Sequence, residues 1–218
     1  MEVKKELIIE TKNTEWDLGN KILYDLCKNY PKHNEIDKII AKCLLIGRVY
    51  AAALERRPKK EDELNDDFYL DKVGVIFKKS DIDNKLLTLS KIDFGNENTI
   101  INILEIHSFL NDLTKKITNG MYKRSFASKY LHFHFPDLFF IYDSRAIKSI
   151  SKFKIRLSNK TYQELRNKDV DYDYAIFYLK CIEVKKILEN IYEDNLSLRH
   201  FDNVLMEIDK INSLTLSN

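Results

Sequence analysis

Glycine and proline are scarce, five and three in 218 residues. A chain with so few breaks is not a string of flexible linkers, and no low-complexity tract or internal repeat occurs. Cys27, Cys43 and Cys181 are odd in number, far apart, and each falls on the apolar stripe of an expected helix. That spacing excludes a disulfide frame or a cysteine metal knot and points to reduced core residues in the cytoplasm. No stretch approaches the uninterrupted apolar length of a membrane span. The start, Met1-Glu2-Val3-Lys4-Lys5-Glu6-Leu7, carries acids where a secretory segment would be apolar. Also missing are a Walker phosphate loop, a dinucleotide glycine signature, a zincin helix and a nucleophile elbow. No cofactor is expected.

A large net charge is missing too: the formal balance is only +2. The charge is unevenly spread, however. From Leu113 to Lys160, eleven Lys or Arg stand against Asp137 and Asp143 alone. Residues 1–112 carry 18 basic and 21 acidic groups, and residues 161–218 carry 7 and 11. A positive block between mildly acidic flanks is the footprint of a phosphate-binding face.

What is present is mostly helical periodicity. Thr14-Glu15-Trp16-Asp17 resembles a capping box with Asp for Glu, opening a helix to about Tyr30, before Pro31. Asn34 starts a second, with Ile36, Ile39, Ile40, Cys43, Leu44, Gly47, Tyr50, Ala51 and Leu54 on one stripe, ending at Arg56-Arg57-Pro58. The acidic run Glu61 to Asp67 reads as a loop or helix start. Val73-Gly74-Val75-Ile76-Phe77 is the best strand candidate. Asn98 or Thr99 caps a long helix that ends at Asn119-Gly120. Further helices are expected over Ser125 to Phe135, Ser144 to Phe153, Tyr172 to Tyr192, and from Ser197 with Leu198, Phe201, Val204, Leu205 and Ile208 inward. The reading is one compact α-helical domain over 1–218, with 1–97 and 98–218 as a division into sub-lobes and room for one small strand pair.

The chemistry concentrates in residues 123–146. A helix with a basic start, a Pro136-Asp137 turn and the apolar run Leu138-Phe139-Phe140-Ile141-Tyr142 deliver a lone carboxylate, Asp143, to the head of the next helix. An acid in an apolar, positive setting suits chemistry on a polyanion. The bland role for Asp143 is an N-cap, compatible with the first. For Lys123 the bland role is a surface lysine.

The order of a helix ending at Asn119-Gly120, a short turn, a helix from Ser125 and then an acid after an apolar run resembles the helix-hairpin-helix DNA glycosylase superfamily. The 8-oxoguanine DNA glycosylases, including the archaeal type, are the nearest comparison. Lys123 precedes Asp143 by 20 positions, in keeping with that family's Lys and Asp, and Phe140 to Ala146 stands where it has an apolar-Asp-polar-basic-apolar signature. Arg199 to Ile208 is similar to the helix that closes such domains. Two departures stand out: Ile117-Thr118-Asn119-Gly120-Met121-Tyr122 has one glycine where the family hairpin has two, and the four-cysteine cluster of some members is missing.

The resemblance implies a mainly α helical bundle of DNA glycosylase type with a helix-hairpin-helix-like element. It also implies double-stranded DNA as the partner; a monomer is expected, and no metal. Asp143 would stabilise positive charge on the sugar or orient a water. A neutral Lys123 amine could attack C1′ and open the way to strand cleavage. Gly120, Arg124, Ser125, Lys129, Arg145 and Lys148 would meet phosphate. Tyr142, Phe139, Tyr130, His132, His134 and Trp16 would wall a flipped base, although aromatics at helical spacing are more often core. His132 and His134, two positions apart, do not share a helix face, which disfavours a metal pair. A non-catalytic nucleic-acid-binding helical protein and a helical nuclease using these histidines remain open from the residues alone.

Overall fold

The computed structural model describes residues 3–58, 67–90 and 97–215. Among the described residues there are eleven α-helices, in chain order α1 Lys5–Glu10, α2 Trp16–Asn29, α3 Ile36–Val49, α4 Val75–Lys78, α5 Ile82–Leu89, α6 Glu97–Ile117, α7 Arg124–His134, α8 Ser144–Lys152, α9 Asn159–Arg166, α10 Tyr172–Tyr192 and α11 Leu198–Thr215. A π-helical stretch, Phe68–Gly74, runs directly into α4. The acidic run at 61–66 and the side chain of Asn98 lie outside the described residues.

No strand occurs among the described residues, so the strand pair expected at Val73 to Phe77 is corrected to helix. Val73 and Phe77 are buried while Val75 and Ile76 are half-buried, a spacing of four that belongs to a helix face rather than a pleat. A short apolar run of this kind suits either state by pattern alone. Packing decides here: a Cβ on Gly74 would lie 2.7 Å from Ile36 Cγ2, so glycine lets the stretch press against α3.

Two expected boundaries are corrected: α3 stops at Val49, where the Tyr50 amide closes it on Ile46 O and Ala51 turns to φ 53°, instead of running to Arg56-Arg57-Pro58, and α6 opens at Glu97, ahead of Asn98 and Thr99. Elsewhere local chemistry sets the ends of the expected helices. Asp17 Oδ2 accepts from the Thr14 amide at 2.7 Å and from its hydroxyl at 3.1 Å, one half of the expected capping box. At the end of α6, Asn119 and Gly120 take positive φ, 56° and 102°. The Gly120 amide donates to Lys115 O at 2.9 Å, closing the helix as such turns do.

A continuous hydrophobic core runs from Val3 to Ile208 and crosses the proposed division at residue 97. α7 lies within it, buried from Phe126 to Phe133, packed on α2, α3 and α6. Polar rings on α7 are tied to groups from other elements. Lys42 Nζ can only donate, so His134 Nε2 accepts from it (3.2 Å) and His134 Nδ1–H donates to Tyr130 O (2.9 Å). His33 gives Nδ1–H to Asp83 Oδ1 and takes the Tyr130 hydroxyl on Nε2, both at 2.6 Å. The three cysteines are buried and unbridged, as expected. Among the described residues no helix is long and apolar enough to cross a membrane.

Candidate functional site

Asp143 reaches its place through a loop pinned at four points. From α10, Tyr178 donates its hydroxyl to Leu138 O at 2.9 Å and Tyr174 donates to Phe140 O at 3.0 Å. On α7, His132 Nδ1–H donates to Phe139 O at 2.8 Å, and Ser128 Oγ accepts the Tyr142 amide at 2.9 Å. A segment without regular structure thus has four of its backbone groups satisfied by buried side chains. Asp143 then caps α8: its Oδ1 accepts from the Arg145 amide at 3.1 Å and the Ala146 amide at 3.0 Å.

The carboxylate stands on the wall of an open cavity of about 610 Å³. That volume lies in the range of about 300–1,000 Å³ typical of small-molecule sites. Trp16, Tyr50, Lys129, Tyr142, Arg199 and Asp202 are among the lining residues, with Ser125, Arg145 and Ile147 at the same cavity. Lys129 is buried, with Nζ 3.4 Å from Asp143 Oδ2 and 3.1 Å from both Tyr50 O and Ser125 Oγ. Tyr142 is held edge-on by Phe177, ring centroids 5.0 Å apart, and also walls a smaller cleft between α8 and α10.

Of the residues expected at the site, Asp143, Ser125, Lys129, Arg145, Tyr142 and Trp16 share this cavity. Lys123 does not line it. Its Nζ donates to Ala53 O and Arg56 O, so the amine latches the segment after α3. Burial pushes its amine below the ordinary lysine value, and the charges of Arg56 and Arg57 add to that while Glu55 opposes it.

Four residues expected around a base belong elsewhere, because helix face is set by packing across the fold. Tyr130, Phe139 and His132 are core. The His132 ring is spent on Phe139 O and the Tyr24 hydroxyl, the latter at 2.6 Å, and burial pushes its pKa down to about 4. His134 faces a separate cavity beside Cys27 and Asp83. Arg124, expected on phosphate, is drawn into ion pairs with Asp171 at 2.7 Å and Asp173 at 3.0 Å. Arg145 pairs with Asp209 at 3.0 Å and donates to Met206 O; Lys148 is exposed on α8 and Gly120 in the turn. Among the described residues no three His, Cys, Asp or Glu side chains gather as a metal set.

Arg199 and Asp202 are the residues that sequence reading missed. They lie one turn apart on α11, joined at 2.8 Å between Nη1 and Oδ2. Asp202 is buried and its Oδ1 has no hydrogen-bond partner among the described residues. Burial raises its carboxyl to about 6, with Asp143 adding to the shift and Arg199, Lys129 and Arg145 opposing it. The available signal was an opposite-charge pair three apart on α11, the spacing at which side chains meet on a helix.

Comparison with family models, curated proteins and solved structures finds no match for this chain.

Proposed function

We propose that the protein is a DNA N-glycosylase that releases a damaged or modified base, with Asp143 as its catalytic carboxylate. The observation that carries the reading is Asp143 itself: capped onto α8, paired with the buried Lys129, and open to a cavity large enough for a nucleobase. Cleaving an N-glycosidic bond builds positive charge on the sugar. A fixed carboxylate stabilises that charge and takes a proton from the attacking water. Tyr142 on the wall and Trp16 on the rim supply faces against which an extruded base can stack.

Lys129 is the amine beside this carboxylate, so lyase chemistry after base release would fall to it rather than to Lys123. The decisive experiment incubates the protein with duplexes carrying single lesions or enlarged pyrimidines, beside plain DNA, and scores abasic sites. Wild type generates abasic sites on at least one duplex and Asp143→Asn binds that DNA without releasing base. Binding unchanged with no release by wild type would instead favour a non-catalytic DNA-binding protein.

A further inference from the structure

The guanidinium of Arg199 is held in one plane by two acids. Nε donates to Asp17 Oδ1 at 3.3 Å and Nη1 to Asp202 Oδ2 at 2.8 Å. Nη2 makes no hydrogen bond among the described residues, and the side chain, 19% exposed, lines the cavity. The neighbouring cations are more committed: Lys129 is shared among Tyr50 O, Ser125 Oγ and Asp143, and Arg145 among Asp209 and Met206 O. An arginine whose plane is fixed in advance, with one nitrogen uncommitted, loses little freedom on taking an anionic oxygen.

We propose that Arg199 is the anion-binding residue inside this cavity, taking a phosphodiester oxygen of the entering nucleotide on Nη2 while Asp17 and Asp202 hold its plane. This assignment rests on the DNA reading above. It also makes binding sensitive to protons through Asp202. That carboxyl faces Arg199 on its own helix, Lys129 on α7, and Asp143 and Arg145 at α8. Tyr24 of α2, Tyr50 after α3, and Cys181 on α10 also lie within its field. A phosphate drawn to Arg199 adds negative charge beside a carboxyl already raised to about 6 by burial, so binding takes up a proton and tightens on acidification.

The test measures the Kd of the full chain, by fluorescence anisotropy, for a labelled duplex carrying a stable tetrahydrofuran abasic analogue. It is run across a salt series and on both sides of pH 6, with melting temperatures alongside. Arg199→Gln binds roughly tenfold more weakly and its salt slope falls by about one, while Arg199→Lys keeps the slope. Asp202→Asn folds, binds at least as tightly as wild type, and loses the pH dependence. An unchanged slope in Arg199→Gln, or wild-type pH dependence in Asp202→Asn, overturns the assignment. Failure of wild type to bind overturns it together with the glycosylase reading. Arg199-dependent binding without base release leaves this assignment standing and removes the glycosylase alone.

Discussion

Asp143→Asn separates two jobs held by one carboxylate. Asn is as good an N-cap as Asp, so acceptance from the Arg145 and Ala146 amides survives the change. What disappears is the negative charge 3.4 Å from Lys129, in a pair whose side chains are 6% and 23% exposed. Such a pair lies between the surface and buried extremes, and losing it costs about 1–2 kcal/mol. In a chain of this size each kcal/mol moves the Tm by roughly 2–4 °C, so Asp143→Asn melts roughly 2–8 °C below wild type. Asp143→Ala also strips the cap, which adds about 1 kcal/mol. Activity ranks differently. Both variants lose the charge that the proposed reaction sets against the sugar, and base release is expected to fall by about 10²–10⁴ in each. Calorimetry and single-turnover base release, read as alkali-labile sites, measure the two effects. An Asp143→Asn protein that melts as expected and keeps the wild-type rate would leave Asp143 a helix cap and refute the catalytic argument. Equal melting losses for Asn and Ala would refute the capping account.

Any imine trapped by borohydride on abasic DNA forms on Lys129. Lys123→Met is captured like wild type, Lys129→Met is not, and capture that depends on Lys123 would reverse the assignment. Tyr130→Phe leaves His33 Nε2 buried without its donor, costing about 1–3 kcal/mol, yet base release is unaffected; a changed KM would return Tyr130 to the base site. Acid destabilises the fold. Burial lowers His33 and His132 to about 4 and His107 to about 3 from an ordinary 6.5. Each is neutral when folded, so the stability it contributes is whole above pH 6.5 and drains as pH falls toward the folded values. By pH 5 the loss is about 2 kcal/mol for each histidine. Asp202, raised by burial to about 6, works oppositely: the folded state takes up its proton first and recovers about 1 kcal/mol over the same interval. The net is a lower Tm at pH 5 than at pH 7.5, and an equal or higher one would refute this balance.

The order α6, turn, α7, pinned loop, α8 was legible because each boundary has a local cause. Asn119-Gly120 supplies two positive φ angles, and Asp143 caps the helix that begins at Ser144. Which way α7 faces was not legible. Tyr130, His132 and His134 look equally fit for a pocket or a core until Asp83, His33, Lys42 and Tyr24 arrive from distant positions to use their polar atoms. Lys123 and Lys129 differ in the same way: their amines reach the segment after α3, and only the fold decides that Lys129 meets Asp143. The Val73 to Phe77 run misled because β-branched residues suit a strand, and the close approach of Ile36 to Gly74 is a fact of tertiary packing. Arg199 and Asp17 are 182 positions apart, beyond any local pattern.

Trp16 has a practical consequence. It is the sole tryptophan, it is 65% exposed, and it stands on the rim of the Asp143 cavity. An indole so exposed is expected to emit as a wetted ring, so that unfolding shifts the spectrum little and the native fluorophore is a poor gauge of denaturation. A ligand stacking at the rim quenches it directly. The chain thus carries a built-in optical gauge of cavity occupancy, and titrations can be followed without attaching a dye.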